Sequence, residues 1–98
     1  MIFKYYSKNA RIILMYFVYV LKSQKDETIH IGSTGNVEKR VSAHNNGKVS
    51  YTKHKKPWRL IYQEEVRDKH RAFQLERFYK TPQGQSILKK KIESKSQA

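Results

Sequence analysis

Every residue from Ile12 to Leu21 is apolar or aromatic, and no glycine or proline interrupts the run. Its second half, Tyr16 to Lys22, is dense in aromatic and β-branched side chains, so a strand is predicted there. The polar stretch Ser23-Gln24-Lys25-Asp26 is short enough for a hairpin, and Thr28–Ile31 reads as the returning strand, ended by Gly32. If Lys22 pairs with Glu27, the register sets Tyr19 directly opposite His30, with Cβ atoms roughly 4.5–5.5 Å apart. Asn36 suits the N-cap of a helix whose apolar positions Val37 and Val41 are one turn apart. Arg40 and His44 share that spacing and lie along one side of the same helix. Asn45-Asn46-Gly47 stops it.

A polar loop, Lys48 to Pro57, leads to a third strand, Trp58–Tyr62. Alternation there puts Trp58, Leu60 and Tyr62 on one face and Arg59, Ile61 and Gln63 on the other. Asp68 is placed to cap a helix running to about Lys80, with Ala72, Phe73, Leu75 and Tyr79 in one apolar arc. Thr81-Pro82 supplies the N-cap and first position of a last helix that turns Ile87, Leu88 and Ile92 inward. Ser94 to Ala98 is expected to fray. These elements make an α+β domain: a small three-stranded antiparallel sheet flanked by three helices.

The chain of 98 residues carries 21 Lys and Arg against 8 Asp and Glu, a net charge of +13. So strong a positive balance on one small domain points to a polyanionic partner, nucleic acid first. No long basic amphipathic helix supports a membrane surface as the rival. The absence of cysteine excludes disulfides and Cys-containing zinc sites and fits a reducing cytoplasm. The run Ile12–Leu21 behind Lys4, Lys8 and Arg11 imitates a signal peptide, but no small-residue cleavage site follows it. It is also too short for a bilayer, which takes ~20 residues. Residues 1–15 are set apart as an N-terminal extension, 16–93 as the domain and 94–98 as a tail, with a monomer as the default. Tyr5 and Tyr6 beside Lys4 and Lys8 read either as a base-stacking arm or as a plain tail.

The predicted hairpin and first helix bring Tyr19, His30, Arg40 and His44 into one unit. Glu76 falls inside the apolar arc of the second helix, where a carboxylate needs a cationic partner or a metal. Lys48, Lys53, Lys55 and Lys56, with Tyr51 among them, make the loop a candidate phosphate-contacting surface. His54 and His70 read as ordinary surface histidines.

In these residues the chain resembles the GIY-YIG nuclease domain family, in its small stand-alone, UPF0213-like bacterial type. Val18-Tyr19-Val20 stands at the GIY triplet and His30-Ile31-Gly32 at the YIG triplet. Arg40 and His44 stand at the family's arginine and histidine, and Leu75-Glu76-Arg77 at its metal-binding glutamate. The resemblance runs from about Tyr16 to Ile92. Two departures are visible: the first glycine of GIY is missing, and His30 replaces the second tyrosine. The resemblance implies metal-dependent hydrolysis of a phosphodiester in nucleic acid. Glu76 would hold one Mg²⁺ or Mn²⁺, Arg40 the scissile phosphate, and Tyr19 would orient or deprotonate the attacking water. His30 and His44 would complete the hydrogen bonding around them. A non-catalytic nucleic-acid-binding module on the same scaffold is the alternative.

Overall fold

The structure, a computed structural model, describes residues 15–96, so the predicted Tyr5/Tyr6 arm lies outside the described residues. The elements follow in the order β1 (Tyr16–Ser23), β2 (Ile29–Thr34), α1 (Val37–Asn45), β3 (Trp58–Val66), α2 (Lys69–Tyr79) and α3 (Pro82–Ser96), with a 3₁₀ turn at Lys53–Lys55. The sheet is antiparallel throughout, in the order β2-β1-β3. It is the three-stranded, three-helix α+β arrangement expected from the sequence.

As the central strand, β1 is covered on both sides, which explains its unbroken apolar character. Val18 and Val20 point to one face and pack with Ile31, Ala72, Tyr79 and Leu88, beneath α2 and α3. Tyr19 and Leu21 point to the other and pack with Trp58 against Val37 and Val41 of α1. The helix starts are capped as the sequence implies. Asn36 Oδ1 accepts from Lys39 N at 3.0 Å, Asp68 Oδ1 from Arg71 N at 2.9 Å, and Thr81 Oγ1 from Gly84 N at 3.0 Å.

Several expectations are corrected. The hairpin register places Tyr19 opposite Gly32, and His30 opposite Leu21. The cause lies in the turn: Ser23 Oγ accepts from Lys25 N and Asp26 N, Asp26 Oδ1 accepts from Thr28 N, and Glu27 adopts φ 66°. These side-chain bonds, with Ser23 N donating to the Thr28 carbonyl at 2.8 Å, move the turn one residue along the chain to Gln24–Glu27, so Lys22 pairs with Ile29. The slip is by two positions, so His30 stays on the Tyr19 face, diagonal to it. Gly32 does not end β2, which continues to Thr34.

In β3, a bulge at Ile61 breaks the alternation, because Val20 pairs with Tyr62 while Leu21 pairs with Leu60. Leu60 and Tyr62 therefore face opposite sides. Phe73 is 49% exposed, since the buried arc of α2 centres on Ala72 and Tyr79, with Leu75 and Glu76 on its flanks. Ile87 is also exposed, while Leu88 is buried and Ile92 packs beside it. The helix carries Ser94–Ser96, which were expected to fray.

Candidate active site

Tyr19 reaches the site because Gly32 lies opposite it. A Cβ on Gly32 would overlap the Tyr19 hydroxyl and sit 2.6 Å from Cζ, so the ring fills the space a side chain would take. The ring thereby crosses towards β2, the edge strand, and its hydroxyl meets α1. Tyr19 Oη lies 3.0 Å from His44 Nε2, and Arg40 Nε donates to it at 3.3 Å. The spacing that put Arg40 and His44 on one helix side thus delivers both to one phenol oxygen.

His44 is fully buried and bonded at both nitrogens. Its Nδ1 is 2.7 Å from Thr52 Oγ1, and Thr52 in turn donates to the Val49 carbonyl at 3.5 Å. Thr52 is thereby left to accept, which assigns the proton to Nδ1 and makes Nε2 the acceptor for the Tyr19 hydroxyl. The loop that brings Thr52 is clamped. Asn45 bonds both the amide and the carbonyl of Trp58, and Trp58 Nε1 donates to the Thr52 carbonyl at 2.9 Å.

His30 completes this side. Its ring centroid is 4.9 Å from that of His44, 6.0 Å from Trp58 and 6.1 Å from Tyr19. It is half-buried and makes no side-chain hydrogen bond among the described residues. Burial, and then the ammonium of Lys80, hold its pKa below the ordinary histidine value. Burial, with His30 and Arg40 adding to it, pushes His44 down to about 4. Burial raises the Tyr19 phenol above its ordinary value, against the opposite pull of Arg40. At neutral pH the resting site therefore holds two neutral imidazoles and a neutral phenol.

Glu76 arrives from the other face of the sheet, on α2. Its side chain is 15% exposed; one oxygen accepts from Ser33 Oγ at 2.7 Å and the other from Lys80 Nζ at 2.9 Å. The predicted need for a partner is met by Ser33 and Lys80, and the site straddles β2 at the sheet edge. Among the described residues no three His, Cys, Asp or Glu gather to form a protein-only metal cage. One anchored carboxylate that already carries a cationic group does fit a hydrated Mg²⁺ or Mn²⁺, which keeps most of its waters and takes phosphate oxygens. Glu76, with Ser33 beside it, is the residue that would hold it.

The basic loop is only partly what its composition implied. Lys55 is engaged, at 3.1 Å from both Asp26 Oδ2 and Thr28 Oγ1. Lys48, Lys53 and Lys56 are exposed and form no ion pair among the described residues. Tyr51 is 89% exposed and borders a groove of about 960 Å³ that begins at His30 and runs along α3. The lysines lining that groove are Lys22, Lys80 and Lys89, none of them in the loop. The sequence reading missed Lys80, although its place four residues after Glu76 puts the two side by side on the helix. Ser33, Lys22 and Lys89 had no such local signal, because they join the site only through the tertiary fold. His54 and His70 are exposed, as expected.

Residues 15–91 match the family model of the GIY-YIG catalytic domain. The chain belongs to the GIY-YIG family. It is similar to the UPF0213 protein of Clostridium perfringens, 43% identical over 67 residues that cover 67% of this chain and 71% of that one. A UPF0213 protein of Staphylococcus haemolyticus is 41% identical over 75 residues, 76% of this chain and 90% of the other. Among solved structures, the solution NMR structure of a UPF0213 protein from Bacillus halodurans aligns at a TM-score of 0.46 with 27% identity. That alignment covers 76% of this chain and 81% of that one. The GIY-YIG match spans all five site positions, Tyr19, His30, Arg40, His44 and Glu76. Among the described residues no helix is long and apolar enough to cross a membrane.

Proposed function

We propose that this GIY-YIG domain, spanning residues 16–93, is a metal-dependent endonuclease that hydrolyses phosphodiester bonds in nucleic acid, DNA foremost. The observation that carries this is the Tyr19 hydroxyl held between Arg40 Nε and His44 Nε2. Arg40 is exposed and, among the described residues, hydrogen-bonds only through Nε to the phenol, which leaves both terminal nitrogens for a phosphate. There the guanidinium offsets the charge that builds on phosphorus during attack. Tyr19, oriented by its two partners, fixes the attacking water through its remaining lone pair.

Tyr19 is a weak choice of base in the resting site. Passing its proton to His44 would run uphill, from a phenol that burial holds above its ordinary value to an imidazole pushed down to about 4. His30 is neutral at pH 7, half-buried, and has no competing hydrogen bond among the described residues, so it takes the water proton. A divalent cation held at Glu76 would supply electrostatic stabilisation of the leaving oxygen. Lys22, Lys80 and Lys89 along the groove, with the free loop lysines, would hold the backbone without reading sequence.

The test is nicking of supercoiled and branched DNA by the full chain with Mg²⁺ or Mn²⁺. Cleavage that requires the cation and is lost in Glu76→Gln is the expected result. Tight binding without cleavage under all these conditions would favour the non-catalytic binding module.

A further inference from the structure

The Glu76–Lys80 pair has the spacing of an ordinary helix-surface ion pair, yet its two ends stand in unlike surroundings. Glu76 is largely buried, and Ser33 from the neighbouring strand fixes its other oxygen. Lys80 is half-exposed, caps the end of α2, and lines the groove with His30 and Lys89. The carboxylate is held; the ammonium is free to leave. Resting on the nuclease reading above, we propose that Lys80 is a displaceable counter-ion of Glu76. It neutralises the carboxylate until a divalent cation takes its place, and then turns into the groove to hold a phosphate of the substrate.

Lys80 Nζ already stands 2.9 Å from Oε2, the oxygen that Ser33 leaves free. A divalent ion bound to that oxygen would lie within a few ångströms of the ammonium, and like charges so close in a half-buried site repel strongly. Both cannot keep the same position. Without any cation, a largely buried carboxylate would be left with one hydroxyl partner, which is unfavourable. Lys80 meets that need while no metal is bound. Its four-carbon stem then lets the charge swing outward from an unmoved Cα. The groove it enters already carries Lys22, whose ammonium lies 3.6 Å from Glu27, and Lys89, with Glu93 also of opposing charge; a phosphate is the ligand that would draw a third ammonium there. Metal and nucleic acid would consequently tighten each other's binding.

The experiment measures Mn²⁺ binding to the full-length protein by electron paramagnetic resonance of the free aqua ion. It also measures binding of a cleavage-resistant phosphorothioate DNA duplex across a salt series. Wild type, Lys80→Met, Lys80→Arg and Glu76→Gln are compared. Lys80→Met is expected to bind Mn²⁺ about three-fold or more tighter than wild type, because a competitor is gone. Lys80→Arg keeps the charge and should bind as wild type does. With Mn²⁺ present, Lys80→Met should lower the slope of log affinity against log salt by about 0.9, one phosphate contact. Without Mn²⁺ the slope should not change. Unchanged or weaker Mn²⁺ binding by Lys80→Met, or an equal loss of slope with and without Mn²⁺, would overturn the role of Lys80 alone. Glu76→Gln that binds Mn²⁺ as wild type does would overturn it together with the metal assignment.

Discussion

The ring of Tyr19 lies across Gly32, in the volume where any other residue at that position would place its Cβ. The last residue of one motif thus exists to admit the tyrosine of the other. Gly32→Ala should push the phenol off His44 and Arg40, cost about 1–3 kcal/mol of stability through overpacking, and abolish cleavage. In a Tyr19→Ala background the same alanine should cost far less. Denaturant unfolding of the four proteins of that cycle checks the claim, and a full penalty in the background lacking Tyr19 would show the clash lies elsewhere.

Glu76→Gln keeps the side chain's shape and removes its charge. Cleavage should be lost while duplex binding is largely kept, since lysine and arginine supply most of the affinity. Arg40→Ala should lose most of the activity with the fold intact, because Arg40 is exposed and, among the described residues, its side chain hydrogen-bonds only to the Tyr19 oxygen. A folded Arg40→Ala that cuts at the wild-type rate would remove Arg40 from the site.

Most of this site could be read from the sequence because it is local. Asn36 fixes the phase of α1, and the four-residue spacing then sends Arg40 and His44 to one point. Glu76 was legible as a carboxylate inside an apolar arc. What could not be read depended on side chains that act across the chain. The Ser23 and Asp26 turn bonds moved the hairpin register, and a single bulge at Ile61 separated Leu60 from Tyr62. Composition made Lys55 a phosphate contact, whereas Asp26 and Thr28 occupy it. The groove lysines come from β1, the end of α2 and α3, and no window of sequence contains them together.

The same distinction predicts the salt response. Duplex affinity should fall steeply between low and physiological salt through counterion release. Alanine at Lys53 or Lys56 should each lower the slope by up to about 0.9, and alanine at Lys55 by clearly less, because its ammonium is already paired. Binding titrations at four salt concentrations decide this; equal slopes for Lys53→Ala and Lys55→Ala would contradict it.

His44 gives the fold its own pH dependence. Its pKa falls from 6.5 in the unfolded chain to about 4 in the native state, so between those values the unfolded chain binds more protons. The stability due to neutral His44 is complete above 6.5 and is lost as pH falls towards 4, up to roughly 3 kcal/mol. Urea unfolding at pH 7 and pH 4.5 should show a larger drop for wild type than for His44→Gln. Parallel drops would mean that His44 is not held neutral.

The pH dependence of cleavage turns on His30, the position where this chain departs from the GIY-YIG pattern. A tyrosine there is neutral across the working range, whereas an imidazole titrates within it. His30 faces Tyr19 of β1, Arg40 and His44 of α1, and Glu76 and Lys80 of α2. Burial, Lys80 and Arg40 favour its neutral form and only Glu76 opposes them, so its pKa lies below 6.5. Protonated, it cannot accept a proton from water and adds charge beside Arg40. Activity should therefore rise as pH climbs through an acid limb below ~6.5 and level off above it. His44, pushed down to about 4, can give an acid limb of its own, so the comparison has to be between wild type and His30→Tyr. Rate profiles of wild type and His30→Tyr from pH 4.5 to 8 make the comparison, read on protein shown to remain folded. The tyrosine variant should keep only reduced activity, since a phenol is the weaker base, and its acid limb should move or flatten. Superimposable profiles would mean that His30 fills the tyrosine's space and takes no proton.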